Sequence, residues 1–288
     1  MSLYTIFTDS ACDIIPETLQ TWNVKYVSLS FRFQDEDKEY TESDIPSSAF
    51  YDRMRGGGIA KTSAVNSETF RAAFEPELAA GRDVLYIGFS SGLSTTYNSA
   101  RMAAAELAEQ YPERTIITID SLAASAGFGL LVAMAAQKRD EGADIEALAD
   151  YVRSLIPRLC HWFTVDDLVY LKRGGRVSPT VAFVGNLLGI KPVLHVDDEG
   201  HLINMTKARG RRAALAALAQ KYGELIEDPA NNTAYISHGD CMDDALKLKE
   251  MLESQYGANV TLITPVGTVI GAHSGPGTLA LFFIAKHR

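Results

Sequence analysis

The five residues Gly88–Gly92, GFSSG, fit the pattern G-x-S-x-G that surrounds the nucleophilic serine of many hydrolases. In that chemistry Ser90 attacks a carbonyl carbon, a histidine takes its proton, and an acidic side chain orients the histidine. The order Ser, Asp, His along the chain permits such a triad. One hypothesis is therefore a serine hydrolase or esterase, whose acid and base would come from Asp120, Asp166, His238 and His273.

The surroundings of this motif fit a hydrolase poorly. G-x-S-x-G is short and frequent by chance, and no H-G-G-G oxyanion motif precedes it. A nucleophile elbow presents one serine on a sharp turn, whereas Ser90 and Ser91 are adjacent here and Ser94 follows closely. The second hypothesis is therefore that several hydroxyls together bind a ligand.

Hydroxyl and carboxyl side chains recur where the apolar runs of the first half end. In open parallel sheets, ligands bind beyond the carboxyl ends of the strands, so these groups are expected to meet at one polar opening. The alternative is that each serves only as a helix N-cap. The clusters are Asp9 and Ser10, Ser90 and Ser91, Asp120 and Ser121, with Thr62, Ser63 and Ser67 on a predicted loop.

A helix is predicted to begin near Ser94. Its free backbone N–H groups and the positive end of its dipole favour a carboxylate or a phosphate. The hydroxyls of Ser94 and Thr62 would donate to such an anion without adding a charge. This suits an anion with a long apolar tail, because an unpaired lysine is costly to bury beside it.

These side chains need elements to position them, and apolar runs alternate with helical patterns over the first 157 residues. The predicted strands are YTIFTDSA, NVKYVSLSFRF, DVLYIGFS and RTIITIDS, and the predicted helices start near Ser67 and Ser94 and within AASAGFGLLV and DIEALADYV. Such alternation predicts βαβ units and a mainly parallel sheet.

The pattern changes after Pro157. A hairpin is expected to turn at Asp198–Gly200, helices cover RAALAALAQKYGEL and DDALKLKEMLESQYG, and the segment 259–286 is predicted as strand, turn and strand. The fold class is therefore α/β, with a parallel-sheet α/β domain over residues 1–157 and an α+β domain over residues 158–288.

Composition narrows the function classes. The 288 residues carry a net charge of −9, which disfavours a nucleic-acid partner, and the basic cluster Lys207–Arg212 is predicted as a solvated helix start. The three cysteines, Cys12, Cys160 and Cys241, include no C-x-x-C and suit a reducing compartment. Neither a signal peptide nor a long apolar span is recognisable, so a cytoplasmic location without stable membrane insertion is expected.

Seven motifs in order resemble those of the DegV family of fatty-acid-binding proteins and extend over nearly the whole chain. They are TDSACDI, KTSAVNS, SSGLSTTYNSA, DSLAASAGFG, VDDLVYLKRGGRVS, LLGIKPVL and IGAHSGPG. Two departures are TSAVN where TSQPS is expected, and LSTTY where LSGTY is usual. The second places Thr95 where the family has a glycine.

The resemblance implies two domains with a fatty acid, such as palmitate or oleate, in a tunnel between them. It implies a carrier rather than an enzyme, with no cofactor besides the bound lipid. Its partner would be a separate ATP-dependent fatty acid kinase, which phosphorylates the carboxylate so that the acyl phosphate enters phospholipid synthesis.

The resemblance also assigns roles to residues. Thr62 and Ser94 would bind the carboxylate directly, with His273 in the surrounding hydrogen-bond network. Arg173 or Arg176 would lie near the kinase-docking surface or the incoming phosphate. Supporting positions at the opening would be Asp9, Ser10, Ser63, Ser90, Ser91, Asp120 and Ser121. A sensor of a small acidic ligand is a third hypothesis beside the carrier and the hydrolase.

Overall fold

The computed structural model describes residues 4–177, 189–229 and 232–288. The strands are β1 Tyr4–Asp9, β2 Val24–Val27, β3 Ser30–Phe33, β4 Ala60–Ser63, β5 Asp83–Gly88, β6 Ile116–Asp120, β7 Leu159–Thr164, β8 Ile190–Val196, β9 Leu202–Arg209, β10 Thr233–His238, β11 Asn259–Pro265 and β12 Leu279–Ile284. The helices are α1 Pro16–Thr21, α2 Ser47–Arg55, α3 Ser67–Ala79, α4 Thr96–Gln110, α5 Ala126–Asp140, α6 Ile145–Leu155, α7 Val169–Arg173, α8 Arg211–Leu225, α9 Met242–Tyr256 and α10 Thr268–Ser274.

The first sheet has the strand order β2-β1-β5-β6, and every neighbouring pair is parallel. Its two central strands, β1 and β5, are short and largely buried, as expected of a parallel sheet covered on both faces by helices, whereas the edge strands β2 and β6 are more exposed. The mainly parallel sheet predicted for the first half is confirmed.

The second sheet has the order β11-β10-β12-β7-β8-β9 and is mixed, because β10 and β11 run parallel while the other pairs are antiparallel. Alternate residues of β12 enter different cores: Ala280 and Phe282 face the first sheet, while Leu281 and Phe283 face α8 and α9. The sheet thus separates one hydrophobic core from another.

Helix α5 lies between the two sheets. It contacts β5 of the first sheet and β7, β10 and β12 of the second, and nearly all its residues from Ala126 to Ala136 are buried. A helix that is apolar on every side needs such a central position. The described strands of the first sheet come from residues 4–120 and those of the second from residues 159–284, whereas the domain boundary at residue 157 stays a prediction.

Three predicted local structures were wrong. The single strand over residues 23–33 is two strands in different sheets: β2 joins the first sheet, and β3 pairs with β4 in a separate ribbon. The loop assigned to Thr62 is strand β4, and the segment between β11 and β12 contains helix α10 rather than a plain turn. Aromatic packing of the ribbon against α2 explains the first difference, since Phe31, Phe33 and Phe50 form a core of their own.

The basic cluster also differs from its prediction. Lys207 and Arg209 belong to strand β9, and helix α8 begins only at Arg211. The motif residues Ser178, Leu187 and Leu188 lie outside the described residues. In the described part of the chain, no helix combines the length and apolar character needed to cross a bilayer.

Candidate functional site

A cavity of about 480 Å³ lies between the two sheets, within the size range of small-molecule sites. Much of its lining is apolar. In the described part of the chain no Asp or Glu lines it, and no group of His, Cys, Asp and Glu is placed to hold a metal ion. The lining comprises Leu29, Thr62, Ala64, Phe89, Ser91, Leu93, Ser94, Thr95, Ala124, Ser125, His161, Phe163, Leu171, Arg176, Leu202, Ser237, Val266, Val269, Ile270, His273, Ser274, Thr278 and Ala280.

Thr62 and His273 meet at this cavity although 211 positions separate them in the chain. Strand β4 carries Thr62, and the last turn of α10 carries His273. Thr62 Oγ1 and His273 Nε2 lie 2.8 Å apart and share a hydrogen bond. The two residues that the sequence assigned to one network are therefore in direct contact.

Ser94 lines the same cavity just before helix α4. Its Oγ accepts a hydrogen bond from the Thr96 backbone N–H at 3.2 Å and lies 2.9 Å from Thr96 Oγ1. The N-cap position itself is Thr95, so Ser94 lines the cavity while its hydroxyl holds the first backbone N–H of α4. The helix begins at Thr96, two residues later than predicted.

The imidazole of His273 is neutral at ordinary pH. Burial lowers its pKa to about 4, and the nearby positive charge of Arg176 acts in the same direction. Its Nδ1 is buried without a hydrogen-bond partner among the described residues, and it faces Gly174. A side chain on Gly174 would overlap the ring, so the first glycine of LKRGGR provides the space for His273.

The two arginines of LKRGGR have different environments. Arg176 lines the cavity and donates to the carbonyl oxygen of Leu93 from Nε at 3.2 Å and from Nη2 at 2.8 Å. Arg173 is exposed, and its guanidinium lies 5.7 Å from the centre of the Tyr170 ring. Only Arg176 is thus placed to influence a ligand inside the cavity.

Ser90 does not have the position of a nucleophile. It is fully buried, its Oγ donates to the carbonyl oxygen of Gly200 at 3.0 Å, and it accepts from the Gly92 N–H at 3.2 Å. Among the described residues no histidine hydrogen-bonds to it. Ser90 instead joins the β5–α4 loop to the β8–β9 hairpin, whose Gly200 has φ +79° and approaches the serine closely.

Most of the predicted supporting residues order the loops around the opening. Asp9 accepts from Tyr86 Oη at 2.7 Å and the Phe89 N–H at 3.0 Å, and Asp120 accepts from the Ser91 N–H at 3.1 Å. The Ser10 hydroxyl accepts a hydrogen bond from the Leu29 N–H, and the Ser121 hydroxyl accepts one from the Ala123 N–H, so both side chains hold the backbone of these loops in place. Of this set only Ser91 lines the cavity, and Ser63 is exposed on β4.

Sequence patterns did not identify another group of buried polar residues. Ser125 has the unusual backbone angles φ 56° and ψ −153°, donates to Asp13 Oδ2, and lies 3.0 Å from Ser237 Oγ. His161 contributes a buried imidazole to the cavity. Ser125 lies within the motif DSLAASAGFG. Ser237 and His161 lie inside apolar strands, where only the alternation of residues along β10 and β7 indicates which face of the sheet their side chains occupy.

Comparison with known proteins gives the family. A family model described as "Uncharacterised protein, DegV family" matches residues 4–286. A DegV domain-containing protein of Clostridium perfringens is 42% identical over 99% of this chain and 98% of its own length. A second relative, from Streptococcus pyogenes, is 36% identical over 99% of both chains.

Solved structures share the fold. A DegV family protein from Thermus thermophilus, described by its fatty acid binding, superposes with a TM-score of 0.88 at 30% identity and covers 98% of this chain and 99% of its own. A stearic acid-binding protein from Eubacterium ventriosum has a TM-score of 0.88 at 27% identity, with 98% of both chains covered. The predicted fold class is confirmed, and the chain belongs to the DegV family.

Proposed function

We propose that this protein binds a long-chain fatty acid, with the carboxylate at Thr62 and Ser94 and the tail in the cavity between the sheets. The observation that carries the proposal is that a single, largely apolar cavity reaches both hydroxyls and the Thr62–His273 hydrogen bond. The fatty acid binding described for the relatives from Thermus thermophilus and Eubacterium ventriosum supports it.

The carboxylate would be bound by directed hydroxyl protons. A neutral His273 with its proton on Nε2 donates to Thr62 Oγ1, which leaves the Thr62 proton free to point at the ligand. Thr96 can likewise donate to Ser94 Oγ, so that the Ser94 proton also points at the ligand. Each hydroxyl then donates one charge-assisted hydrogen bond to the carboxylate.

The positive charge beside the carboxylate would act without direct contact. Arg176 is held by the carbonyl oxygen of Leu93, while no Asp or Glu among the described lining residues opposes an anion. The beginning of α4 adds backbone N–H groups at the same place. The site therefore favours a single negative charge. The described part of the neighbouring apolar wall carries no charged group, so a hydrocarbon tail can lie against it without removing a charge from water.

The tail would provide most of the affinity. Burial of each methylene contributes about 0.8 kcal/mol, so a chain of about sixteen carbons contributes on the order of 10 kcal/mol before the entropic cost of association. The hydroxyls add specificity for an acid head group and fix which end of the molecule lies at the opening.

We also propose that the bound acid is presented to a separate ATP-dependent fatty acid kinase. A carboxylate oxygen would attack the γ-phosphorus of ATP, ADP would leave, and the acyl phosphate would pass to phospholipid synthesis. The exposed Arg173 is available to contact such a partner, and Arg176, which lines the same cavity as Thr62 and Ser94, would stabilise charge on the new phosphate.

Binding is tested with delipidated protein and Thr62→Val and Ser94→Ala variants. Each loses one charge-assisted hydrogen bond, so each is expected to weaken palmitate binding by about tenfold. Ser63→Ala, on the same strand but exposed, is the matched control and should bind normally. Native mass spectrometry of the purified protein should detect a long-chain acid; failure to bind palmitate or oleate in any form contradicts the proposal.

The kinase step is tested by ADP release from a purified fatty acid kinase, ATP and the loaded protein. Arg173→Ala should slow turnover without changing lipid affinity.

The hydrolase alternative predicts hydrolysis of an ester such as p-nitrophenyl butyrate that Ser90→Ala abolishes. The buried hydroxyl of Ser90 and its bond to Gly200 favour the carrier instead.

A further inference from the structure

One wall of the cavity contains a polar group that carboxylate binding does not use. His161 lines the cavity from β7, beside Phe163 on the same face of the second sheet. The carboxylate site is built from other elements, β4, the start of α4 and the end of α10. His161 therefore belongs to the wall along which the hydrocarbon tail would lie.

The imidazole of His161 lacks hydrogen bonds. The residue is only 4% exposed, and its Nδ1 is buried without a hydrogen-bond partner among the described residues. Because Nδ1 lies on the α5 side, Nε2 is the ring nitrogen that a ligand in the cavity can meet. Phe282 and Phe163 surround the imidazole, with ring centres 4.6 Å and 5.7 Å away, and Gly127 of α5 lies against Nδ1. Buried polar side chains normally have partners, so this exception requires an explanation.

Neighbouring polar groups show the contrast. Ser237 and Ser125 also line the cavity, but they bond to each other at 3.0 Å, and Ser125 bonds onward to Asp13. His195, a buried histidine elsewhere in the same sheet, bonds to a backbone carbonyl at 3.1 Å. His161 alone among these four side chains is left unpaired.

The charge state of His161 limits what it can bind. Burial lowers its pKa well below the usual value for histidine, so the ring is neutral near pH 7. A neutral imidazole has one N–H donor and one nitrogen acceptor, and it complements an uncharged oxygen such as a hydroxyl or a keto group. A second carboxylate or a phosphate would find no positive charge there.

We propose that the acyl pocket is selective for a fatty acid whose tail carries a hydroxyl or keto oxygen, which pairs with His161. The proposal rests on the fatty acid binding proposed above and names the class of acid. A plain alkyl chain leaves Nε2 of His161 without a partner, whereas an oxygen at the matching carbon forms a hydrogen bond with it. Sites that hydrogen-bond a substrate hydroxyl discriminate against the analogue lacking it far better than apolar walls do.

The experiment compares stearate with a series of hydroxystearates whose hydroxyl moves from the middle of the chain to the methyl end. One position should bind about tenfold more tightly than stearate to delipidated wild-type protein, and its neighbours should not. In His161→Leu this preference should disappear while stearate binds as well as before or better. His161→Gln, which keeps a donor and an acceptor, should retain part of it.

Phe163→Leu is the matched control, because Phe163 lines the cavity on the same strand face without a polar group. It should alter the affinities for stearate and hydroxystearate equally. If stearate binds but no hydroxyl position is preferred, or if His161→Leu keeps the preference, this inference is overturned while the proposed function stands. If none of these acids binds, the proposed function itself fails.

Discussion

At the scale of single residues, the candidate site is notable for using uncharged donors next to a neutral histidine. Thr62, Ser94 and His273 meet at the cavity, and the nearest arginine, Arg176, is occupied by a backbone carbonyl. A lysine in this position would have to be desolvated beside a hydrocarbon chain. In the proposed binding mode, hydroxyls avoid that cost and would still donate two hydrogen bonds to a carboxylate.

The neutral state of His273 leads to a prediction about pH. Its folded pKa of about 4 lies below the ordinary value, so the ring stays uncharged from pH 8 down to about pH 6. Affinity for a soluble acid such as dodecanoate should be constant over that range in isothermal titration calorimetry. Tighter binding with a midpoint near pH 6.5 would mean that a charged imidazole binds the carboxylate and would contradict the prediction.

A second residue-scale prediction concerns the contact between Gly174 and His273. Gly174→Ala places a methyl group where the imidazole now lies, so the ring must move away from Thr62. Palmitate affinity should fall by at least about fivefold, the equivalent of losing one hydrogen bond. Gly175→Ala is the control: with φ +71° it should lose about 1 kcal/mol of stability but bind palmitate normally.

At the scale of elements, the sequence predicted strands and helices correctly where a pattern of residues allowed only one interpretation. Strands β1, β5 and β6 were identified because buried apolar runs end at clear polar clusters. Helix α10 was missed because Thr268, Val269 and Ile270 favour strands locally, whereas in the fold the segment packs as a helix against α7, α2 and the β3–β4 ribbon. Likewise, no local signal shows that Thr62 pairs with Phe31 in a ribbon.

The site was predictable to the extent that it depends on motifs. The motifs identified Thr62, Ser94 and His273, and the structure brings all three to one cavity. They did not identify His161 or Ser237. For a polar residue inside an apolar strand, the sequence does not show which face of the sheet its side chain occupies until the neighbouring strands are known. Register with β12 places both on the face that lines the cavity.

One contact between elements predicts a pH-dependent stability. Glu42, on a short 3-10 turn, and Asp13 both lie against Gly267 just before α10. Burial raises the pKa of Glu42 to about 7, and burial followed by the proximity of Glu42 raises that of Asp13 well above its usual range. Between about pH 4.5 and 7 the unfolded chain therefore releases the Glu42 proton while the folded chain keeps it, so stability decreases as pH rises.

Glu42→Gln keeps the neutral form at every pH. It should match wild type near pH 4.5 and exceed its unfolding free energy by about 1–3 kcal/mol at pH 8, measured by urea denaturation. Glu109→Gln, an exposed carboxylate on α4, should change stability by less than about 0.5 kcal/mol. Equal stability of Glu42→Gln and wild type at pH 8 would show that Glu42 ionises without cost in the folded protein.

At the scale of the whole molecule, the two sheets share more than a ligand cavity. The core between them contains residues of both, such as Ile87 from β5 and Phe282 from β12, with α5 packed against each sheet. The same strand β12 sends Leu281 and Phe283 into the second core on the other face. Unfolding of either core therefore removes packing contacts from β12, and a destabilised β12 in turn destabilises the other core.

This arrangement predicts that the chain unfolds as one cooperative unit even though its sequence suggests two domains. The two tryptophans are natural probes, because Trp22 packs against the first core and Trp162 belongs to the second. In Trp162→Phe and Trp22→Phe, each retaining one probe, the fluorescence transition in urea should coincide with that of far-UV circular dichroism. Delipidated protein should behave in the same way, since the shared strands and α5 do not depend on the ligand. Fluorescence of Trp22 and Trp162 that changes at separate urea concentrations, with circular dichroism following both, would instead establish two independently stable domains that meet near residue 157.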